Sequence, residues 1–457
     1  MSSTTCAASE LAAGLQGAWT PAASTHVPYR LVPQQEVFTG HRRHVIARPG
    51  ESVWDQMGLY DISRTPNRAP HNYGACAMRA AKENRTLMRY EYAPNGCVLP
   101  RLDAETLCAS SLFGGGDSKQ KRALVLIVGD STAAQLWLAF AMALGARLGR
   151  NAHATATITR VSASACGGRV RLSFVRNDLL VLSSSGPLIN ASRCASRSLL
   201  FPFVGHLAVA DHIIFSVGQH PAALVHEYET NHTHHRAFSF YARMLNFTLA
   251  HAAAATHRRI VLMGPTLPVP GCTQARAPAS SLVEVLASEG RHAEHHPWWP
   301  AWQHLLRINQ IARWTARELG VAFVDVAELT VRRADGAMRT NMYTSKEDCV
   351  HYCMPGVPDT LARLVFTALL NQQGSTSAPV STSTSAALDA KSKSAPASVE
   401  DAWTQVPGMP PLDRWLRRGA SDAFERVRFG LGATVEKVEL LPWWPFRGEC
   451  FKGASKK

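Results

Sequence analysis

The sequence predicts an α/β fold, a parallel sheet covered by helices on both faces in three layers, and three observations carry that prediction. Short aliphatic and β-branched runs alternate with longer helical patterns along the middle of the chain, the order expected of parallel strands joined by crossover helices. The run from Ala123 to Val128 is apolar at every position, which suits a strand buried on both faces rather than one with a wet side. That run breaks at Gly129-Asp130-Ser131 directly into a helical pattern. With 457 residues, 46% of them hydrophobic, the chain holds enough apolar surface for a full-sized core.

Taken in order, residues 1–72 are turn-rich, with Trp19, Trp54 and scattered Pro, and are expected to be an irregular lead-in that wraps the core. The main domain is expected over 73–371. It opens with the strand Ala123 to Val128 and a helix from Thr132 to Leu148, then strands at Ala154 to Thr159 and Val170 to Val175. Ala210 to Val217 reads as a buried strand, followed by a helix from Arg236 to His251 and a strand from Arg259 to Met263. A long helix from Trp302 to Leu319, a strand from Ala322 to Val326 and a helix from Val357 to Leu370 close the domain. Residues 372–400 are dominated by Ser, Thr, Ala and Lys, the composition of a flexible linker. The segment 401–457, with Trp403, Trp415, Trp443 and Trp444, is an appendage for which the residues supply no functional argument.

Ser131 stands where a buried strand would deliver a hydroxyl to the first turn of a helix. Free N–H groups and the positive dipole end at such a start suit a developing oxyanion. The plainer reading of Asp130-Ser131 is an ordinary helix cap. Far downstream, Asp348-Cys349-Val350-His351 spaces a carboxylate and an imidazole three residues apart, the only Asp-x-x-His in the chain. Such a pair orients and polarises a general base. A ligand of a parallel sheet sits outside the carboxyl ends of the strands, where Ser131 and Gly218 both fall.

Other constellations weigh less. Cys349 and Cys353 with His351 between them resemble part of a zinc set, but no second Cys/His pair at finger spacing follows, so no metal is expected. The tracts His232-Thr233-His234-His235 and His292 with His295-His296 read as solvated loops. Trp298, Trp299 and Trp302 are either core packing or a platform for stacking sugar rings.

The formal charge of +14 and a pI near 9.6 come from Arg spread thinly along the chain. They reflect either composition alone or a basic cleft for an anionic polysaccharide. No nucleic-acid signature occurs, and none is expected to bind. Eight of the ten cysteines, Cys76, Cys97, Cys108, Cys166, Cys194, Cys272, Cys349 and Cys353, form an even set that predicts at least three disulfides in a luminal domain. Glycosylation acceptors at Asn84, Asn190, Asn231 and Asn246 agree with that compartment. Against it, Met1 to Thr20 has neither a basic n-region nor a sustained apolar run. No membrane span is expected, because Gly129-Asp130-Ser131 interrupts the most apolar stretch, Ala123 to Ala146.

Three motifs carry a resemblance: Tyr92-Ala93-Pro94 with Cys97-Val98-Leu99-Pro100-Arg101-Leu102-Asp103; Val128-Gly129-Asp130-Ser131 with Gln135-Leu136-Trp137; and Asp348-Cys349-x-His351-Tyr352-Cys353-x-Pro355-Gly356-x-Pro358-Asp359. On these residues the chain resembles the SGNH/GDSL hydrolases. More closely, it resembles the PC-esterase or trichome-birefringence-like family of plant and algal polysaccharide O-acetyltransferases. The resemblance runs from Tyr73 to Asn371. It implies a flavodoxin-like α/β/α domain and a triad of Ser131, His351 and Asp348. It further implies an oxyanion site from the backbone N–H groups of Ser131 and Gly218, beside Asp130. His220 stands where SGNH enzymes carry an Asn, and Gly168 in Cys166-Gly167-Gly168-Arg169 is the candidate second glycine block.

The implied activity is transfer of an acetyl group through Ser131 to a hydroxyl of a polysaccharide or other glycan acceptor, in the Golgi or secretory lumen. An acetyl donor is required and no bound cofactor is implied. The family's usual N-terminal membrane anchor is not visible in this chain. Two rivals stay open: an acetylesterase, if water takes the acetyl group, and a non-catalytic polysaccharide-binding protein.

Overall fold

A computed structural model of the chain describes residues 4–21, 45–47, 90–113, 122–148, 154–155, 160–181, 200–222, 234–255, 259–268, 272–281, 284–285, 299–340, 347–354 and 356–372. Of two compact units, Met1–Asn371 with Val438–Lys457 and Gln372–Lys437, only the first contributes described elements. The expected linker and appendage therefore lie outside the described residues, apart from Gln372.

The core is a seven-stranded sheet. The N-terminal segment contributes α1 (Ala8–Ala13) and β1 (Gly17–Pro21), and β1 pairs antiparallel with β2 (Tyr90–Pro94) in a small separate sheet. After α2 (Ala104–Ala109) come β3 (Ala123–Gly129), α3 (Ser131–Ala143), β4 (Arg147–Leu148), β5 (Arg160–Ala165), β6 (Val170–Arg176), β7 (His212–Ser216), α4 (His234–Ala255) and β8 (Arg259–Met263). The chain continues through α5 (Trp299–Glu318), β9 (Ala322–Val324), α6 (Ala327–Val331), a hairpin of β10 (Ala337–Thr340) and β11 (Glu347–Tyr352), and α7 (Val357–Asn371). The main sheet runs β9-β8-β7-β3-β6-β5-β4, and its first five strands are mutually parallel.

β3 lies at the centre, and its composition explains why. Leu124 to Gly129 are buried without interruption, as a strand covered on both faces requires. Val125, Ile127, Ile214, Val261 and Val324 share one core with the apolar residues of α3 and α7. The intervening Leu126, Val128, Ile213 and Phe215 are equally buried but lie outside that cluster, the period-two alternation of a two-faced sheet. α3 and α7 pack together, as do α4 and α5, with Phe238 against His304 at 5.7 Å. Every residue of α3 after Ser131 is buried. A helix apolar all round belongs between layers, not on a surface.

Register brings the carboxyl ends of the central strands level: Gly129 is paired with Arg176 on one side and Ser216 on the other, and Ser216 with Met263. Gly129 has to be glycine, since a Cβ there would lie 1.7 Å from the Ser216 carbonyl oxygen. α3 ends earlier than the sequence pattern indicates, because Gly145 takes φ +57 and turns the chain into β4.

The N-terminal lead-in is not irregular over 4–21. Leu11 O accepts from Asp325 N at 2.9 Å, Trp19 Nε1 donates to Leu329 O at 3.2 Å, and Arg332 Nη1 donates to Gly17 O at 2.9 Å. The Arg333 guanidinium lies 4.4 Å from the Trp19 ring centroid. Cys6 is disulfide-bonded to Cys97, so the pairing extends beyond the eight cysteines from Cys76 to Cys353. Cys108–Cys166 and Cys272–Cys349 are also bonded, and the described residues include no free cysteine. No described helix is long and apolar enough to cross a membrane. Of the four glycosylation acceptors only Asn246 is described, half-buried on α4.

Candidate active site

Asp130 is the N-cap of α3. Its Oδ1 accepts from Thr132 N at 2.9 Å and from the Thr132 hydroxyl at 2.7 Å, so the residue before the nucleophile candidate is fixed by the helix it starts. Ser131 follows in the first turn, at the carboxyl end of the central strand, and is half-buried. Among the described residues no partner is recorded for the Ser131 N–H, which as the first helical residue has none within the helix.

Asp348 and His351 come from the strand β11, an element to which the sequence pattern gave no assignment. Ser131 Oγ lies 2.7 Å from His351 Nε2, and His351 Nδ1 lies 3.0 and 3.1 Å from the two Asp348 carboxylate oxygens. With the proton on Nδ1, Nε2 is left to accept from the hydroxyl. Asp348 Oδ1 also accepts from the N–H groups of Val350 and His351, at 3.2 and 3.1 Å. Burial pushes the Asp348 carboxyl up. The charge of His351 and the hydrogen bonds from His351 and Val350 outweigh burial and hold it at about 2. For His351, burial pulls the imidazole down, but the Asp348 charge and hydrogen bond, helped by Asp130, carry it above its ordinary value against Arg176.

Polar bonds of Tyr352 hold β11 in place, and those to Gln135 dock it on α3. The Gln135 side chain donates to Tyr352 O at 2.6 Å and accepts from Tyr352 N at 3.2 Å, and the Tyr352 hydroxyl donates to Leu267 O or Thr330 O. Cys349 is bonded to Cys272, and Cys353 is disulfide-bonded as well. These bonds remove both thiolates as zinc ligands. In the sequence Gln135 has no evident role. The available signal was a lone amide in an otherwise apolar helix, which needs a partner.

Four other expectations change. Asp130 is fully buried and spends its oxygens on the helix cap and on Gly218 N–H at 3.4 Å, so it is no substrate contact. The Gly218 N–H, expected to face an oxyanion, is thereby turned to Asp130. Gly168 lies before β6, and the seven-residue strand sets it roughly 20 Å from the end that carries Ser131. It belongs to the tight turn closed by Cys108–Cys166. His220 does reach the carboxyl-end side, but its Nε2 meets Asp178 Oδ2 at 3.2 Å. Trp298 lies outside the described residues. Trp299 and Trp302 lie in the first turn of α5, where the side chains are not described.

Residues 290–368 match a family model described as PC-Esterase, the GDSL/SGNH-like acyl-esterase family found in Pmr5 and Cas1p. No solved structure matches the chain. The matched segment contains Asp348 and His351 and begins well downstream of Ser131, which lies outside it. Together with the α/β/α fold it supports acyl chemistry of the GDSL/SGNH-like kind, esterase or acyltransferase.

Proposed function

We propose that this chain is an O-acetyltransferase that moves an acetyl group through Ser131 to a hydroxyl of a polysaccharide of the secretory pathway or cell wall. The observation that carries the reading is the unbroken chain from Ser131 Oγ through His351 to Asp348, assembled from residues 217 positions apart in sequence between Ser131 and Asp348 (348 − 131). In the first half-reaction Ser131 Oγ attacks the donor's carbonyl carbon while its proton passes to His351 Nε2. The carbonyl electrons collapse onto oxygen, and the leaving group departs with the His351 proton. In the second, a sugar hydroxyl gives its proton to His351 and attacks the acetyl-serine ester, and Ser131 leaves with that proton. Water in place of the sugar makes the same machinery an esterase.

The disulfides support an oxidising compartment, and the net charge of +14 favours an anionic acceptor. The protein, incubated with a labelled acetyl donor and a panel of glycans, is expected to label one class of polysaccharide, with no label from Ser131→Ala. Release of free acetate alone supports the esterase. Equal labelling by wild type and Ser131→Ala removes the catalytic reading in favour of a binding protein.

A further inference from the structure

At the carboxyl edge of the sheet, β3 lies between β6 and β7. As the last residue of β6, Arg176 grips Asp178 through Nε to Oδ1 at 2.8 Å and Nη2 to Oδ2 at 3.3 Å. Asp178 is fully buried, and its Oδ2 also meets His220 Nε2, which follows β7. A chain of three charged or titratable groups thus runs from the end of β6 to the end of β7. It passes the end of β3, which carries Ser131. The mount is rigid. Asn177 N donates to Gly129 O at 2.9 Å, and the Asn177 amide holds Val181 N, Val181 O and Phe201 O at 2.8 to 3.0 Å.

The acyl-transfer reading needs two donors for the tetrahedral oxyanion. One is the Ser131 N–H. The Gly218 N–H is committed to Asp130, and position 220 carries a ring tied to Asp178 in place of an amide side chain. Resting on that reading, we propose that the Arg176 guanidinium is the second oxyanion donor, with Asp178 and His220 as positioning residues that aim it. Arg176 is the register partner of Gly129, two residues before the nucleophile, and its side chain is 14% exposed, so it is held at the edge of the sheet that carries Ser131 without being sealed from solvent. Its charge is felt at the His351 ring, which it pulls downward. A charge-assisted hydrogen bond from a carboxylate-locked guanidinium is about twice as strong as one from a neutral amide. It therefore substitutes for an Asn side chain.

The test follows release of p-nitrophenolate from p-nitrophenyl acetate by the full chain. Arg176→Ala and Arg176→Gln are expected to lose about 10²- to 10³-fold in the acylation rate. KM and the thermal melt should stay near wild type, Arg176→Lys should lie between, and added guanidinium chloride should partly restore Arg176→Ala. His220→Ala should lose less than Arg176→Ala, because Asp178 still holds the guanidinium. A folded Arg176→Gln that acylates within a few-fold of wild type overturns the proposal, as does a loss that appears only in KM. If Arg176→Ala does not fold, the Lys and Gln variants decide. Undiminished turnover by Ser131→Ala overturns the acyl-transfer reading itself, a different result from any of these.

Discussion

Only the neutral His351 ring can take the Ser131 proton, so acylation should follow its deprotonation. Asp348 and Asp130 hold the ring's proton more tightly than usual against Arg176. The rising limb of the pH–rate profile is therefore expected above the ordinary imidazole value of about 6.5. Asp348→Asn should move that limb downward and cost about 10⁴-fold in rate, as loss of the orienting carboxylate does in such triads. A limb that stays put in Asp348→Asn contradicts the pairing. Stability runs the other way. The raised His351 stabilises the fold fully below about 6.5, and that share is lost as pH rises through the folded value. The depressed Asp348 contributes above its unfolded value and loses its share as pH falls toward about 2. Ser131, Asp348 and His351 were legible in sequence because strand-to-helix punctuation and a lone Asp-x-x-His mark them. Arg176-Asn177-Asp178 was not, although it follows a strand pattern at the ligand-binding end of the sheet.

Among the elements, the docking of β11 on α3 decides whether the two halves of the site meet. Gln135→Ala removes the only side chain recorded, among the described residues, as bonding both polar groups of the Tyr352 backbone. Each buried group left unpaired costs about 1 to 3 kcal/mol. The expected outcome is a lower urea midpoint with an unchanged slope, together with slower reaction of Ser131 with a serine-directed phosphonate. Unchanged stability and reactivity would show that the disulfides at Cys349 and Cys353 hold β11 without Gln135. The parallel strands were readable because β3, β7, β8 and β9 are short apolar runs and β6 alternates Val170, Leu172 and Phe174 with polar residues. β5 (Arg-Val-Ser-Ala-Ser-Ala) was misplaced because its small residues carry little β signal. β11 shows no strand pattern in the sequence because its positions are occupied by Asp, Cys and His for chemistry.

For the whole molecule, the sequence resemblance began at Tyr73, yet Cys6, Leu11 and Trp19 are buried in the main core. The contacts that tie them down span more than three hundred residues, from Trp19 to Leu329 and Gly17 to Arg332, and no local pattern announces them. Deleting residues 1–21 is therefore expected to yield protein without a cooperative melt, and Cys6→Ser to lose about 2 to 5 kcal/mol. A truncated chain that melts like the full one would return the segment to the status of a lead-in.

The central claim is that Ser131 carries the acyl group between two substrates. Intact mass of the full chain after mixing with an acetyl donor tests it most directly. The expected result is one added acetyl on Ser131, absent in Ser131→Ala, that decays faster when a glycan acceptor is added and leaves acetylated glycan behind. No adduct with any donor, and no reaction of Ser131 with a phosphonate, would contradict the claim.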